Sequence, residues 1–155
     1  MGETPVLRHS YRRDRLSVIS TITVSPRHRR LALYARFHRR NITGEEVAEF
    51  LGHLLRHVRG PIELVWDGGP IHRRRSVGVF LRRHYPRLQV HRFPAYAPEL
   101  NPDEYVWTRS KQRLANTTPH TIDQLQHGVR RTIKRIRHSQ VLLWSCIHEA
   151  DLPWK

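Results

Sequence analysis

The chain has 155 residues, 38% of them hydrophobic, with 28 Lys and Arg against 13 Asp and Glu, for a formal net charge of +15. A field of that sign opposes compaction by self-repulsion and attracts polyanions, so nucleic acid is the partner it implies. A bilayer-spanning protein and a disulfide or multi-cysteine zinc scaffold do not fit: no apolar run approaches the ~18 residues that cross a membrane, and Cys146 is the sole cysteine. The opening residues Met1 to Pro5 lack the apolar region of a secretory signal, so the expected location is the cytoplasm, in association with the nucleoid. The length leads to the expectation of one domain.

Residues 1–15 read as irregular and charged. From Leu16 to Val24 a β-branched, alternating segment predicts a strand. The turn Ser25-Pro26-Arg27-His28 then leads to a second alternating strand at Leu31, Leu33, Ala35 and Phe37, which predicts a β-hairpin. Neither strand contains an acid. Thr43-Gly44-Glu45-Glu46 has the form of a capping box and opens a helix with Val47, Phe50, Leu51, Leu54 and Val58 at helical spacing, which Gly60-Pro61 ends.

Ile62 to Trp66 reads as a short buried strand that stops at Asp67-Gly68-Gly69-Pro70. An amphipathic helix follows with Val77, Phe80, Leu81 and His84 on one face, and Leu88 to Phe93 is a further strand. Helices near 102–115, 121–138 and 140–149 complete the chain. The order β-β-α-β-α-β followed by helices predicts an α/β fold with one sheet of mixed direction.

Two acids stand out. Asp67 lies at the carboxyl end of a strand, where ligands gather in open α/β sheets, but Asp is also a favoured turn residue and the local sequence does not separate the two roles. Glu104 lies at the third position of a helix begun by Asn101 and Pro102, so the segment by itself favours a capping-box role over catalysis. The pair carries more information than either member. One helix and one strand lie between them, and such a crossover returns the chain to the same edge of a sheet. Two carboxylates there suit a hard divalent cation, and two such ions about 3.5–4 Å apart would drive phosphodiester chemistry.

The segments Val65-Trp66-Asp67-Gly68-Gly69-Pro70-Ile71-His72 and Pro94 to Trp107, with its Tyr96-Ala97-Pro98-Glu99-Leu100-Asn101-Pro102-Asp103-Glu104 core, resemble the DDE transposases of bacterial insertion sequences related to mariner elements. The resemblance runs from about Gly2 to Trp154. It implies a ribonuclease H-like mixed sheet flanked by helices, Mg²⁺ or Mn²⁺ as cofactor, and cleavage and transfer of DNA strands at transposon ends and target. It matches Asp67 and Glu104 to the second and third of the family's three catalytic, metal-binding acids.

The first acid has no match, because in the family it sits on a strand before the hairpin. Gly2-Glu3-Thr4-Pro5-Val6-Leu7 resembles the segment that follows that strand, and Asp14, among Arg12, Arg13 and Arg15, reads as charged surface. The expectation is therefore a partial catalytic domain over 1–155, lacking the first strand and the family's helix-turn-helix region. Such a chain is expected to be inactive alone, prone to self-association, and open to complementation by an upstream polypeptide. The alternative is a non-catalytic, basic nucleic-acid-binding protein.

His72, five residues after Asp67, is a candidate for contact with phosphate or for support of a metal ligand, and equally a helix-start histidine. Arg73-Arg74-Arg75 and the outer face of the 121–138 helix, with Arg130, Arg131, Lys134, Arg135 and Arg137, are the candidate DNA contacts. His53 and His57 have metal-like spacing but no evident third ligand, and read as a solvated edge. Trp66 and Trp107 read as core.

Overall fold

The computed structural model describes residues 15–27, 29–115, 117 and 119–152. Asp14 and the segment Gly2 to Leu7 lie outside the described residues, as do His28 of the first turn and Trp154. The elements are β1 (Ser17–Val24), β2 (Leu31–His38), α1 (Gly44–His57), β3 (Ile62–Trp66), α2 (Arg75–His84), β4 (Leu88–Arg92), α3 (Pro102–Ala115), α4 (Ile122–Arg137) and α5 (Gln140–Glu149). Short 3-10 turns at Pro70–Arg73 and Pro98–Leu100 precede α2 and α3.

β1 and β2 form the expected antiparallel hairpin, with Ser20 opposite Ala35 and Ile22 opposite Leu33. β3 and β4 pair in parallel, Ile62 with Leu88 through Trp66 with Arg92, bridged by α2. The two ladders are separate two-stranded sheets, whereas one mixed sheet was expected. Both strand directions are present, but among the described residues no strand joins β1 to β3.

That arrangement also corrects the reading of β3 as a buried strand. Ile62, Leu64 and Trp66 turn inward, while Glu63 is exposed and Val65 is 46% exposed. A strand with one covered face alternates; only one covered on both faces is continuously buried. On the outer face Glu63 meets His91 of β4 at 2.7 Å.

The hairpin carries apolar side chains on both faces. One face joins Leu31, Leu33, Val18 and Ile22 to Val106, Ile133, Ile136, Leu143 and Cys146 of α3, α4 and α5. The other places Ile19 and Tyr34 against the cluster of Val47, Phe50, Leu51, Leu54, Val77 and Leu88 that α1, α2, β3 and β4 share. Fully burying one such Leu, Ile or Phe side chain is worth roughly 1.5–3 kcal/mol, so these two clusters hold the helices to the strands. Gly128 lets α4 approach α3, since a Cβ there would stand 2.6 Å from a Leu114 methyl.

The start of α1 is the capping box its sequence predicts. Thr43 N–H donates to Glu46 Oε2 at 2.8 Å, and the Thr43 hydroxyl donates to the same oxygen. The Thr43 hydroxyl and the Thr43 amide, assisted by Arg40, hold the Glu46 carboxyl down to about 2. No described helix is long and apolar enough to cross a membrane.

Candidate active site

Asp67 directly follows β3, where the parallel ladder ends with Phe93 N–H donating to Trp66 O at 2.9 Å. Its carboxylate is mostly exposed and is oriented from two sides. Gly69 N–H donates to Oδ1 at 2.8 Å, and His72 Nε2 lies 3.1 Å from the same oxygen. A carboxylate only accepts, so the imidazole carries its proton on Nε2. Position 69 must be glycine for this geometry, because a Cβ there would stand 2.8 Å from Asp67 Oδ1.

The His72 ring stacks on Trp66 with centroids 4.2 Å apart and planes 19° from parallel. Burial lowers its pKa against the opposing pull of Asp67, so the ring is neutral near pH 7. Its Nδ1 is buried without a partner among the described residues. Of the two roles open to His72 in the sequence, this geometry is that of a group orienting the acid. Asp67 Oδ2 has no described partner.

Glu104 occupies the first turn of α3 and is exposed. The capping role favoured by the local sequence is filled by other groups. Asn101 Oδ1 accepts from Asp103 N–H at 3.1 Å, and the Asn101 N–H, which a capping-box glutamate would take, donates to Pro98 O at 3.0 Å. The Glu104 carboxylate is left with no hydrogen bond or ion pair among the described residues. A free carboxylate in the first turn is favoured by the helix dipole and is available as an oxygen ligand.

The neighbouring acid, which sequence reasoning passed over, behaves differently. Asp103 Oδ2 accepts from the Ser20 hydroxyl of β1 and from Trp107 Nε1 at 3.1 Å, while Oδ1 is buried without a partner. Burial pushes its pKa up to about 6, against the two hydrogen bonds and with help from the adjacent Glu104. Asp103 therefore ties α3 to the hairpin. The four-residue spacing from Asp103 to Trp107 was the available signal, since it places both on one side of the helix. Trp107 is thus core, as expected, but with its indole N–H engaged.

The loop before α3 holds Tyr96 fully exposed with a positive φ of 59°. Arg73, Arg74 and Arg75 are exposed where the Asp67 loop enters α2, and Arg73 Nη2 reaches Gly68 O at 3.3 Å. Arg130, Arg131, Lys134 and Arg135 are exposed on α4, whose buried residues include Val129, Ile133 and Ile136. The His53 and His57 rings lie 4.1 Å apart, tilted by 43°, beside Tyr34. Among the described residues no three His, Cys, Asp or Glu side chains form a group able to hold a metal ion. Asp67 and Glu104 nonetheless fit a hard divalent cation in chemistry, as exposed carboxylates with unengaged oxygens, though they supply fewer ligands than a complete site would.

Residues 1–126 match the family model described as DDE superfamily endonuclease. No curated protein matches the chain. Among solved structures, the catalytic domain of the Mos1 mariner transposase is similar with a TM-score of 0.52 and 13% identity, over 90% of this chain and 83% of that one. A chain of the simian T-cell lymphotropic virus intasome, in complex with PP2A regulatory subunit B56 gamma, is similar with a TM-score of 0.50 and 16% identity, over 88% of this chain. The present chain spans 55% of the length of that intasome chain. At such identities the likeness carries the fold, and it is the ribonuclease H-like, mixed α/β fold of transposase catalytic domains. With a family model covering most of its length, the chain belongs to the DDE superfamily endonucleases.

Proposed function

We propose that the chain is the Asp67- and Glu104-bearing part of a transposase catalytic domain of the insertion-sequence type, whose chemistry is metal-dependent cleavage and transfer of DNA strands. The carrying observation is the Glu104 carboxylate, which the helix start leaves unused because Asn101 and Pro98 take the capping roles. Asp67, aimed by Gly69 and His72, is the second ligand. Together they would hold Mg²⁺ or Mn²⁺. Such an ion, when bound, supplies charge stabilisation at the phosphoryl oxygens and a more acidic water or hydroxyl. The protein's own contribution is to fix the two carboxylates, with His72 keeping Asp67 in one orientation. The exposed Arg73, Arg74 and Arg75 beside the Asp67 loop, and Arg130 and Lys134 of α4, would bind DNA phosphates.

The third acid would come from a further strand. β1 and β3 each have one strand partner among the described residues, so each leaves an edge that a strand can join. β1 and β2 carry no acid of their own. With Asp67 and Glu104 as the sole acids at the site, metal would bind weakly and cleavage would await the third acid. An open edge also favours self-association or pairing with a complementing polypeptide.

The test is cleavage of transposon-end DNA in Mg²⁺, by the chain alone and with an added upstream polypeptide that contains a strand bearing an acid. The expected result is no cleavage alone and cleavage on complementation, lost with Asp67→Asn or Glu104→Gln. Cleavage by the chain alone that disappears in Asp67→Asn would overturn the claim of inactivity. Complemented cleavage indifferent to both substitutions would overturn the site.

A further inference from the structure

The outer edge of β2 is closed over one half and open over the other. Leu31 N–H donates to Gln140 Oε1 at 2.9 Å, and Gln140 Nε2 donates to Leu31 O at 2.8 Å, so one side-chain amide from α5 stands in for a neighbouring strand. Arg137 Nε donates to Leu33 O at 2.9 Å. The two-residue period of a strand puts the backbone groups of Ala35 and Phe37 on the same edge, and among the described residues nothing takes them up.

There the edge opens into a groove of about 660 Å³ between β2 and α4. Arg36 and His38 line it from β2, and Arg130, Lys134, Arg137 and His138 from α4. Phe37 and Ile133 form its apolar part, and the Arg130 guanidinium lies 4.7 Å from the Phe37 ring centroid. His38 Nε2 is buried and has no partner among the described residues. Among the described residues no acid lines the groove. Glu49 lies 3.8 Å from Arg36, and Asp123 pairs with Arg39.

We propose that this groove is a contact for the phosphodiester backbone of DNA, apart from the acid site. The inference rests on the reading of DNA as partner and narrows it to one face of α4. The groove offers clustered cations, an aromatic floor and outward backbone N–H groups, which are the donors that bind phosphates without reading sequence. A peptide strand added to the edge fits less well. Gln140 and Arg137 already occupy the edge at Leu31 and Leu33, and the remaining Ala35 and Phe37 are too few for a ladder. Arg131 and Arg135 do not line the groove and face away from it on the same helix.

The control is therefore internal to α4. The full chain is titrated against a short duplex of arbitrary sequence by fluorescence anisotropy over a range of salt. Arg130→Gln with Lys134→Gln is compared with Arg131→Gln with Arg135→Gln, two pairs that remove equal charge. The groove pair is expected to weaken binding by at least about tenfold and to lower the slope of log affinity on log salt by about 1.8, while the control pair costs less than about threefold. Lys134→Glu alone, at a side chain with no described partner, is expected to weaken binding by about threefold or more and leave the unfolding midpoint unchanged.

Equal losses from the two pairs would mean a diffuse field and overturn the groove. Binding unaffected by the groove pair would overturn it while leaving DNA as partner. A wild-type chain that binds no duplex would overturn both readings. Groove-dependent binding to polyglutamate as tight as to DNA would reassign the groove to acidic peptides.

Discussion

Asp103 makes the stability of this protein depend on pH in a direction opposite to the usual one for an acid. Its carboxyl has the ordinary value of 3.8 in the unfolded chain and about 6 in the fold, chiefly because it is buried. Between those values the native state holds more protons than the unfolded state. This group's contribution is therefore fully present below about 3.8, falls as pH rises, and is lost above about 6. A rise of that size corresponds to about 3 kcal/mol at pH 7, a large part of the 5–15 kcal/mol that typically separates folded from unfolded domains.

Asp103→Asn removes the charge and keeps one oxygen for the Ser20 hydroxyl and Trp107 N–H. Its amide then lies where Oδ1 is already unpartnered. The variant is expected to match the wild type near pH 4 and to be more stable by about 2–3 kcal/mol at pH 7.5. Urea unfolding followed by tryptophan fluorescence at a series of pH values measures this directly. Parallel stability profiles for the two proteins between pH 4 and 7.5, or a less stable variant at pH 7.5, would refute the reasoning.

Two other substitutions test how the fold is closed. Gln140→Ala removes both hydrogen bonds that cap Leu31, so it is expected to cost about 1–3 kcal/mol and to promote association through the freed edge of β2; concentration-dependent sedimentation checks the second part. Thr43→Ala takes away the hydroxyl of the α1 capping box, with an expected loss of about 0.5–2 kcal/mol in urea unfolding. Because Thr43 also holds the Glu46 carboxyl down to about 2, acid unfolding of this variant should begin at a higher pH than in the wild type.

The elements were legible because each has a strong local cause. The alternation from Leu16 to Val24 and from Leu31 to Phe37 reports strands with distinct faces, and both faces of the hairpin are packed. The Thr43 capping box, the Gly60-Pro61 stop and the spacing of Val129, Ile133 and Ile136 mark α1 and α4 in the same way. The short motifs around Asp67 and Glu104 also pointed to the family that the model match bears out. The separation into two ladders was not legible, because strand patterns report faces and not which edges pair.

For the acids at its centre, the sequence by itself determined their identity and their places on the elements: Asp67 past the end of β3, Asp103 and Glu104 in the first turn of α3. It could not say which carboxylate is spent on structure. By local pattern Glu104 was the cap, and nothing singled out Asp103. Only the tertiary structure decided otherwise, by bringing Ser20 of β1 and Trp107 against Asp103 and letting Pro98 take the Asn101 N–H. The physical reason is that a carboxylate's role depends on the donors and the solvent around it, and for adjacent residues on a helix these come from opposite sides of the packed chain.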